Sequence, residues 1–200
     1  MKIICVGRNY PEHAKELNNE IPTEPVLFFK PETAILDNGK SFFIPSFSND
    51  IHYEAELVYR ISKSGKNISK IEAHNFFDAI TIGIDFTARD IQTRLKQKGL
   101  PWERAKAFDG SAVIGNFIEL NSKDEYNFSL SKNNGVVQKS NSKEMIFDIL
   151  AVIENVSKFV TLEKGDLIFT GTPAGVSKIN VGDIYEGFIE DKKLLNCKIE

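Results

Sequence analysis

Ile51-His52-Tyr53-Glu54-Ala55-Glu56-Leu57-Val58-Tyr59-Arg60-Ile61 is the stretch on which the reading of this chain turns. Its β-branched and aromatic residues favour an extended strand, and two acids stand among them. Residues two apart in a strand point to the same face, so Glu54 and Glu56 lie together with Cα atoms about 6.6 to 6.8 Å apart. Both carboxylates can then reach one cation at the ~2.1 Å oxygen distance of magnesium. The other face carries Tyr53, Ala55, Leu57 and Tyr59, so the pattern also suits an amphipathic strand with a solvated acidic side.

On either side of this stretch, strands read over 2–6, 26–30, 41–44, 79–85, 113–118, 166–170, 183–190 and 194–199. Pro31, Asn38-Gly39, Pro45 and Ser64-Gly65 break them. A hairpin over 128–138 turns on Asn133-Asn134-Gly135. A short helix reads over 11–17, with Pro11 in its first turn and Asn18-Asn19 closing it. A second opens through Thr87-x-x-Asp90 and ends at Gly99-Leu100-Pro101. The main helix reads over 144–160, where Met145, Ile149, Val152, Ile153, Val156, Phe159 and Val160 recur at intervals of three and four. Strands outnumber helices without regular βα alternation, so the expected class is α+β around a mixed or antiparallel β-core. No linker, charge block or internal repeat divides the chain, which predicts one domain over 1–200.

A chain of 200 residues with 42% hydrophobic and 26% charged side chains can bury a sizeable core. Its 25 basic and 28 acidic side chains give a net charge of −3, which leaves no positive excess for nucleic acid. The longest uncharged stretch, 167–177, falls short of the roughly 18 to 20 apolar residues of a membrane span. Between Lys2 and Arg8 only five uncharged residues intervene, fewer than the roughly 7 to 15 of a secretory signal core. A cytoplasmic protein is therefore expected. Cys5 and Cys197 stand at opposite ends without metal or redox spacing and read as free, buried thiols.

Asp85 closes the apolar run Ile80-Thr81-Ile82-Gly83-Ile84, where an acid needs a partner or an ion unless it caps the following turn. With Glu54 and Glu56 it makes an all-oxygen set suited to Mg²⁺ or Mn²⁺. His13 and Glu16 are three apart on the short helix, so the acid can orient the ring as a general base; a solvated surface pair is the other reading. Arg89 and Gln92 are three apart just after Asp85, and Lys106 follows; each reads as a site residue or as surface charge. Phe169-Thr170-Gly171-Thr172-Pro173-Ala174-Gly175 ends a strand in a glycine turn whose N–H groups and Thr172 hydroxyl suit a carboxylate. No Gly-Lys-Ser/Thr follows, so it is not a phosphate-binding loop of the Walker type.

Taken in order, these segments resemble the fumarylacetoacetate hydrolase family, and within it the short single-domain acylpyruvate hydrolase and oxaloacetate decarboxylase type. The carriers are Gly7-Arg8-Asn9-Tyr10 with His13 and Glu16, Glu24 through Pro31, His52 through Leu57, Asp85 through Gln92, Gly99 through Gly110, and Gly165 through Pro173. The resemblance implies a β-rich roll of mixed sheets with a few flanking helices, assembled as a homodimer. It implies that Glu54, Glu56 and Asp85 bind Mg²⁺ or Mn²⁺ and that His13 with Glu16 activates water. Lys106, Gln92 and Thr172 would contact substrate, while Arg89 would touch substrate or brace the metal ligands. The implied substrate is a small 2-oxo acid, cleaved by acylpyruvate hydrolysis or oxaloacetate decarboxylation. The alternatives are isomerisation or hydration of unsaturated 2-oxo diacids, and a catalytically silent metal-binding module. The chain departs from the family pattern in the compact loop 177–183 and the lysine-rich hairpin 191–200, away from the implied ligands.

Overall fold

The structure is a computed structural model that describes residues 1–16, 20–120 and 125–200. Its elements run β1 (Ile3–Gly7), α1 (Pro11–Glu16), β2 (Val26–Lys30), β3 (Ile35–Asp37), β4 (Ser41–Phe42), β5 (Ile51–Tyr53), β6 (Ala55–Ile61), β7 (Phe77–Asp85) and β8 (Thr87–Ala88). There follow α2 (Arg89–Gln97), α3 (Glu103–Lys106), β9 (Ala112–Ile114), β10 (Ile118–Glu119), β11 (Asn127–Lys132), β12 (Gly135–Asn141) and α4 (Ile149–Ser157). The chain closes with β13 (Leu167–Phe169), β14 (Ser177–Lys178), β15 (Ile184–Ile189) and β16 (Lys192–Ile199). A large mixed sheet has the order β2-β1-β13-β6-β7-β9-β3, with β10 also on β7. A second sheet is ordered β12-β11-β15-β16-β4, and a small third one β14-β5-β8. This is the expected α+β class, a β-roll of mixed sheets with few helices.

Alternation along the strands builds the core on both faces of the large sheet. Ile4 and Val6 of β1 pack with Ile168 and with Val152, Ile153 and Val156 of α4. Their neighbours Ile3 and Cys5 face the other way, against Phe28, Val58, Leu167 and Phe169. Ile80, Ile82 and Ile84 of β7 join Phe128, Leu130, Tyr185 and Cys197 of the second sheet. Each such side chain contributes about 1.5 to 3 kcal/mol when fully buried. Gly83 sits in this packing because a Cβ there would lie 2.7 Å from Phe169 and 2.8 Å from the Val113 carbonyl oxygen. Both cysteines are free and buried, as expected.

The strand read over 51–61 is two strands in different sheets, and the break falls at Glu54. Its partner breaks at the same level, between Asp85 and Thr87. Ile51 and His52 pair with Ala88 and Thr87, and Ala55 and Glu56 with Ile84 and Gly83. The register is the same on both sides of the corner, so Glu54 lies opposite Asp85, and the Asp85 N–H donates to the Glu54 carbonyl at 2.8 Å. Two paired strands thus turn together from one sheet into another, and the turn gathers the acids.

Other elements differ from the sequence reading for local reasons. The main helix begins only at Ile149, because Asp148 accepts the Ala151 N–H at 2.7 Å and caps it. Met145 therefore lies before the helix in extended backbone, and Phe159 beyond it is 57% exposed. Thr87 is in a strand, and the helix after it starts at Arg89 with no side-chain cap. The strand read over 113–118 divides into β9 and β10, which pair with different parts of β7. Asn133 and Asn134 both adopt positive φ, 52° and 69°, as a two-residue hairpin of the primed type requires. Helix α1 is described over Pro11–Glu16; Leu17, read as its last residue, and Asn18-Asn19, read as its close, lie outside the described residues.

Replacing Asp148 with Ala should destabilise the protein by about 1 kcal/mol, the usual value of an N-cap. Urea unfolding should show a lower midpoint with an unchanged slope; an unchanged midpoint would mean the cap contributes nothing.

Candidate active site

At the strand corner, carboxylate oxygens of Glu54, Glu56 and Asp85 lie within 4.8 Å of one another, all three residues buried. The Lys106 ammonium, on the last turn of α3, donates to Glu54 at 2.8 Å, Asp85 at 2.7 Å and the Thr87 hydroxyl at 2.6 Å. Lys30, at the end of β2, places its Nζ 2.8 Å from the other Asp85 oxygen and donates to Ser111 Oγ and the Lys106 carbonyl. Arg89, first residue of α2, donates to Glu54 at 2.5 Å and to Gln92 Oε1 at 2.7 Å. Glu56 accepts the Gly171 N–H at 2.6 Å. Gly171 is required there, because its φ is +92° and a Cβ would sit 2.7 Å from Asn9 Cβ.

Two of the three acids are driven in opposite directions. Burial alone would raise Glu54, but Lys106, Arg89 and His13 outweigh it and hold its carboxyl well below the usual range. Glu56 is pushed well above its usual value, first by burial and then by repulsion from Asp85 and Glu54. Burial would lower Lys106, yet Asp85 and Glu54 raise it above an ordinary lysine. Three buried carboxylates with no nitrogen or sulfur ligand form a hard-oxygen donor set, and their mutual repulsion is what a divalent cation relieves. The residues present fit Mg²⁺ or Mn²⁺.

His13 is 5% exposed, which removes the reading of a solvated pair. Its Nδ1 lies 3.0 Å from Glu16 Oε2, and Glu16 Oε1 accepts the Gly175 N–H at 3.1 Å. His13, Glu54, Glu56, Arg89, Gln92, Lys106 and Thr172 line one cleft. Asp85 and Glu16 act on it through Lys106 and His13. Larger surface grooves beside Phe117 and beside Glu190 gather no such buried set of titratable groups among the described residues.

Three local readings change. The Thr87 hydroxyl receives Lys106 and caps no helix. Asp85 caps no turn; both its oxygens face lysines. The glycine turn after β13 does grip a carboxylate, but it is the chain's own Glu56. Two residues were not singled out from the sequence. Gln138 accepts the Ala55 N–H at 2.8 Å and donates to the Thr172 hydroxyl at 2.9 Å, tying the corner to the turn. It sits at an ordinary position in a hairpin arm, and no local pattern marks it. Lys30 had a signal, a lysine closing the apolar run Val26 to Phe29 where a charge must be paired if buried.

A β-roll folded around a buried carboxylate cluster, with a histidine–glutamate pair on the same cleft, defines an enzyme of the divalent-metal type. The C-terminal family of fumarylacetoacetate hydrolase matches residues 2–200, and the chain belongs to that family. It is 42% identical to a mitochondrial oxaloacetate tautomerase of Caenorhabditis elegans over 98% of this chain and 92% of the relative. It is 43% identical to a mitochondrial oxaloacetate decarboxylase of Dictyostelium discoideum over 92% of this chain and 87% of the relative. Among solved structures, fumarylpyruvate hydrolase from Pseudomonas aeruginosa, in complex with Mn²⁺ and pyruvate, superposes with a TM-score of 0.94 at 34% identity, covering 100% of this chain and 89% of that one.

The raised Glu56 carboxyl has a measurable consequence in metal-free protein. Above about pH 4.3, where an unfolded glutamate has largely released its proton, folded Glu56 still holds one. The folded state then binds more protons than the unfolded state, so this group's contribution to stability falls as pH rises. Relative to Glu56→Gln, the unmodified protein should lose stability from about pH 5 upward. Urea unfolding of both at several pH values checks this, and parallel curves would contradict it.

Proposed function

We propose that the protein is a divalent-metal-dependent enzyme acting on small 2-oxo acids, hydrolysing acylpyruvates, decarboxylating oxaloacetate, or both. The observation that carries this is the cluster of Glu54, Glu56 and Asp85 within 4.8 Å beside the buried His13–Glu16 pair. Oxaloacetate and fumarylpyruvate, named for its relatives, are both enolisable 2-oxo acids. Glu54, Glu56 and Asp85 would hold Mg²⁺ or Mn²⁺, which supplies Lewis acidity toward the substrate's carboxylate and 2-oxo oxygens.

The chain's own residues do the rest. His13 takes a proton from water, and Glu16 at Nδ1 stabilises the imidazolium and fixes the tautomer. The hydroxide attacks the distal ketone, the carbon–carbon bond breaks, and pyruvate leaves as its enolate while the other fragment becomes a carboxylic acid. Lys106, fixed by three oxygens, keeps positive charge beside the cleft where enolate charge develops. Gln92 and Thr172 present an amide and a hydroxyl to orient the substrate, while Arg89 holds Glu54 and Gln92 in place. Loss of carbon dioxide from oxaloacetate uses the same enolate stabilisation and needs no water, so His13 is dispensable for bond breaking there. Assembly as a homodimer belongs to the same reading, through the family resemblance.

A second reading is keto–enol tautomerisation of oxaloacetate. It is favoured by the His13–Glu16 pair, which suffices for a proton transfer, and by the name of the Caenorhabditis elegans relative.

Pyruvate release from acetylpyruvate and from oxaloacetate, measured with Mg²⁺ or Mn²⁺ and again with chelator, should be metal-dependent for at least one. Enol–keto interconversion of oxaloacetate, followed by absorbance, assays the second reading. No turnover in any of the three would overturn the proposal. Glu54→Gln and Asp85→Asn should each weaken Mn²⁺ binding by more than about tenfold in calorimetric titration and abolish turnover. Unchanged affinity would remove these residues as ligands. His13→Ala should depress hydrolysis much more than decarboxylation; equal losses would mean that the pair is no dedicated water activator.

A further inference from the structure

The hairpin arm β12 reaches the site through Gln138, and a fault in the hairpin's register aims it there. Leu130 pairs with Gln138 and Ser131 with Val136, so Val137 is an extra residue in β12. Residues two apart in a regular strand share a face, and a bulge between them breaks that rule. Val136 is accordingly 66% exposed and Gln138 only 2%. The turn after β13 packs directly on the bulge, where a Cβ on Gly175 would lie 2.5 Å from the Val137 carbonyl oxygen and 3.3 Å from Gln138 Cγ.

Two backbone groups fix which way round the Gln138 amide stands. The Ala55 N–H can only donate, so the atom 2.8 Å from it is Oε1. The Pro173 carbonyl can only accept, so the atom 2.9 Å from it is Nε2. A reversed amide would set donor against donor and acceptor against acceptor, both of them buried. Nε2 carries a second hydrogen, and Thr172 Oγ1 lies 2.9 Å away to receive it. The Thr172 hydroxyl therefore accepts from Gln138 and keeps its own proton for another acceptor. Among the described residues that proton has no acceptor, and Thr172 is buried on the cleft wall.

We propose that Gln138 is a positioning residue that sets the polarity of Thr172, turning the hydroxyl proton toward the ligand. The inference rests on the 2-oxo acid reading and deepens it. At Thr172 the site offers a donor, so the ligand atom held there is an oxygen with a free lone pair, from a carboxylate or an oxo group. A ligand hydroxyl that must donate at this point is rejected. The bulged hairpin, far from the acidic corner in sequence, is thereby part of the recognition apparatus.

Calorimetric titration of Mn²⁺-loaded protein with pyruvate tests this through a cycle of variants. Thr172→Val removes the donor and should weaken pyruvate about tenfold to a hundredfold, the range of a hydrogen bond to a charged group. Gln138→Glu keeps the side chain's size and the bond from Ala55, but brings at most one proton to two acceptors, so the Thr172 hydroxyl turns its proton inward. Pyruvate should then weaken about tenfold or more, while Mn²⁺ binds at least as tightly as before. Gln138→Met removes both amide donors and leaves the hydroxyl free to turn. It carries no charge, should act on pyruvate in the same direction, and keeps the test independent of whether Gln138→Glu folds.

The deciding readout is the coupling between the two positions. Either Gln138 substitution should lose at least about fivefold less pyruvate affinity in the Thr172→Val background than alone. A residue that only supports the corner gives the same loss in both backgrounds, and that outcome overturns the proposal. Unchanged pyruvate affinity in Thr172→Val, or in both Gln138 variants, overturns it too. In those cases Mn²⁺-dependent pyruvate binding by the unmodified protein leaves the 2-oxo acid reading standing. No Mn²⁺-dependent binding of pyruvate by the unmodified protein overturns that reading and the proposal with it.

Discussion

The Lys106 ammonium, bonded to Glu54, Asp85 and Thr87, stands where two sheets exchange strands, and much of the cleft is arranged to keep that charge cluster compensated. Buried like charges repel strongly in a low-dielectric interior, so a corner holding three carboxylates survives only with cations or a proton nearby. Lys30 approaches Asp85 from the end of β2, Arg89 approaches Glu54 from the start of α2, and the Gly171 amide approaches Glu56 from the turn after β13. Elements far apart in sequence are thereby committed to one place.

That commitment links fold to chemistry. The corner arises because β5–β8 and β6–β7 keep one register while passing from the small sheet to the large one, which sets Glu54 opposite Asp85. Gln138 joins the corner to the Thr172 turn, and Glu16 joins that turn's Gly175 to His13. The histidine–glutamate pair is therefore braced by the same segment that holds Glu56. A cleft built in this way is preorganised, since its polar groups are fixed by packing and by each other before any substrate enters.

The fold class was legible because strand periodicity is local: Val26–Lys30 matches its reading at both ends, and the Asn133-Asn134 turn follows from the few residues that tolerate positive φ. The main helix was read too long because the spacing at Met145 and Phe159 fits a helix, while Asp148 offers a cap that stops it from extending backward. Thr87 was read as a cap because its spacing from Asp90 matches one; the hydroxyl instead meets a lysine nineteen positions on. The helix was shortened by a cap inside its own segment, whereas the Thr87 pattern was overruled by a partner outside the window in which it is read.

By itself the sequence determined which residues can carry chemistry. Glu54 and Glu56 two apart, His13 and Glu16 three apart, and an aspartate closing an apolar run are facts of spacing and side-chain type, and the family resemblance follows from their order. The tertiary structure alone decided that both glutamates are buried, that Asp85 faces Glu54 across a strand pair, and that Lys30 and Gln138 belong to the site. The physical reason is that charge compensation and burial depend on distance in space. Positions such as 30, 54, 85 and 106 become neighbours only when the sheets close around them.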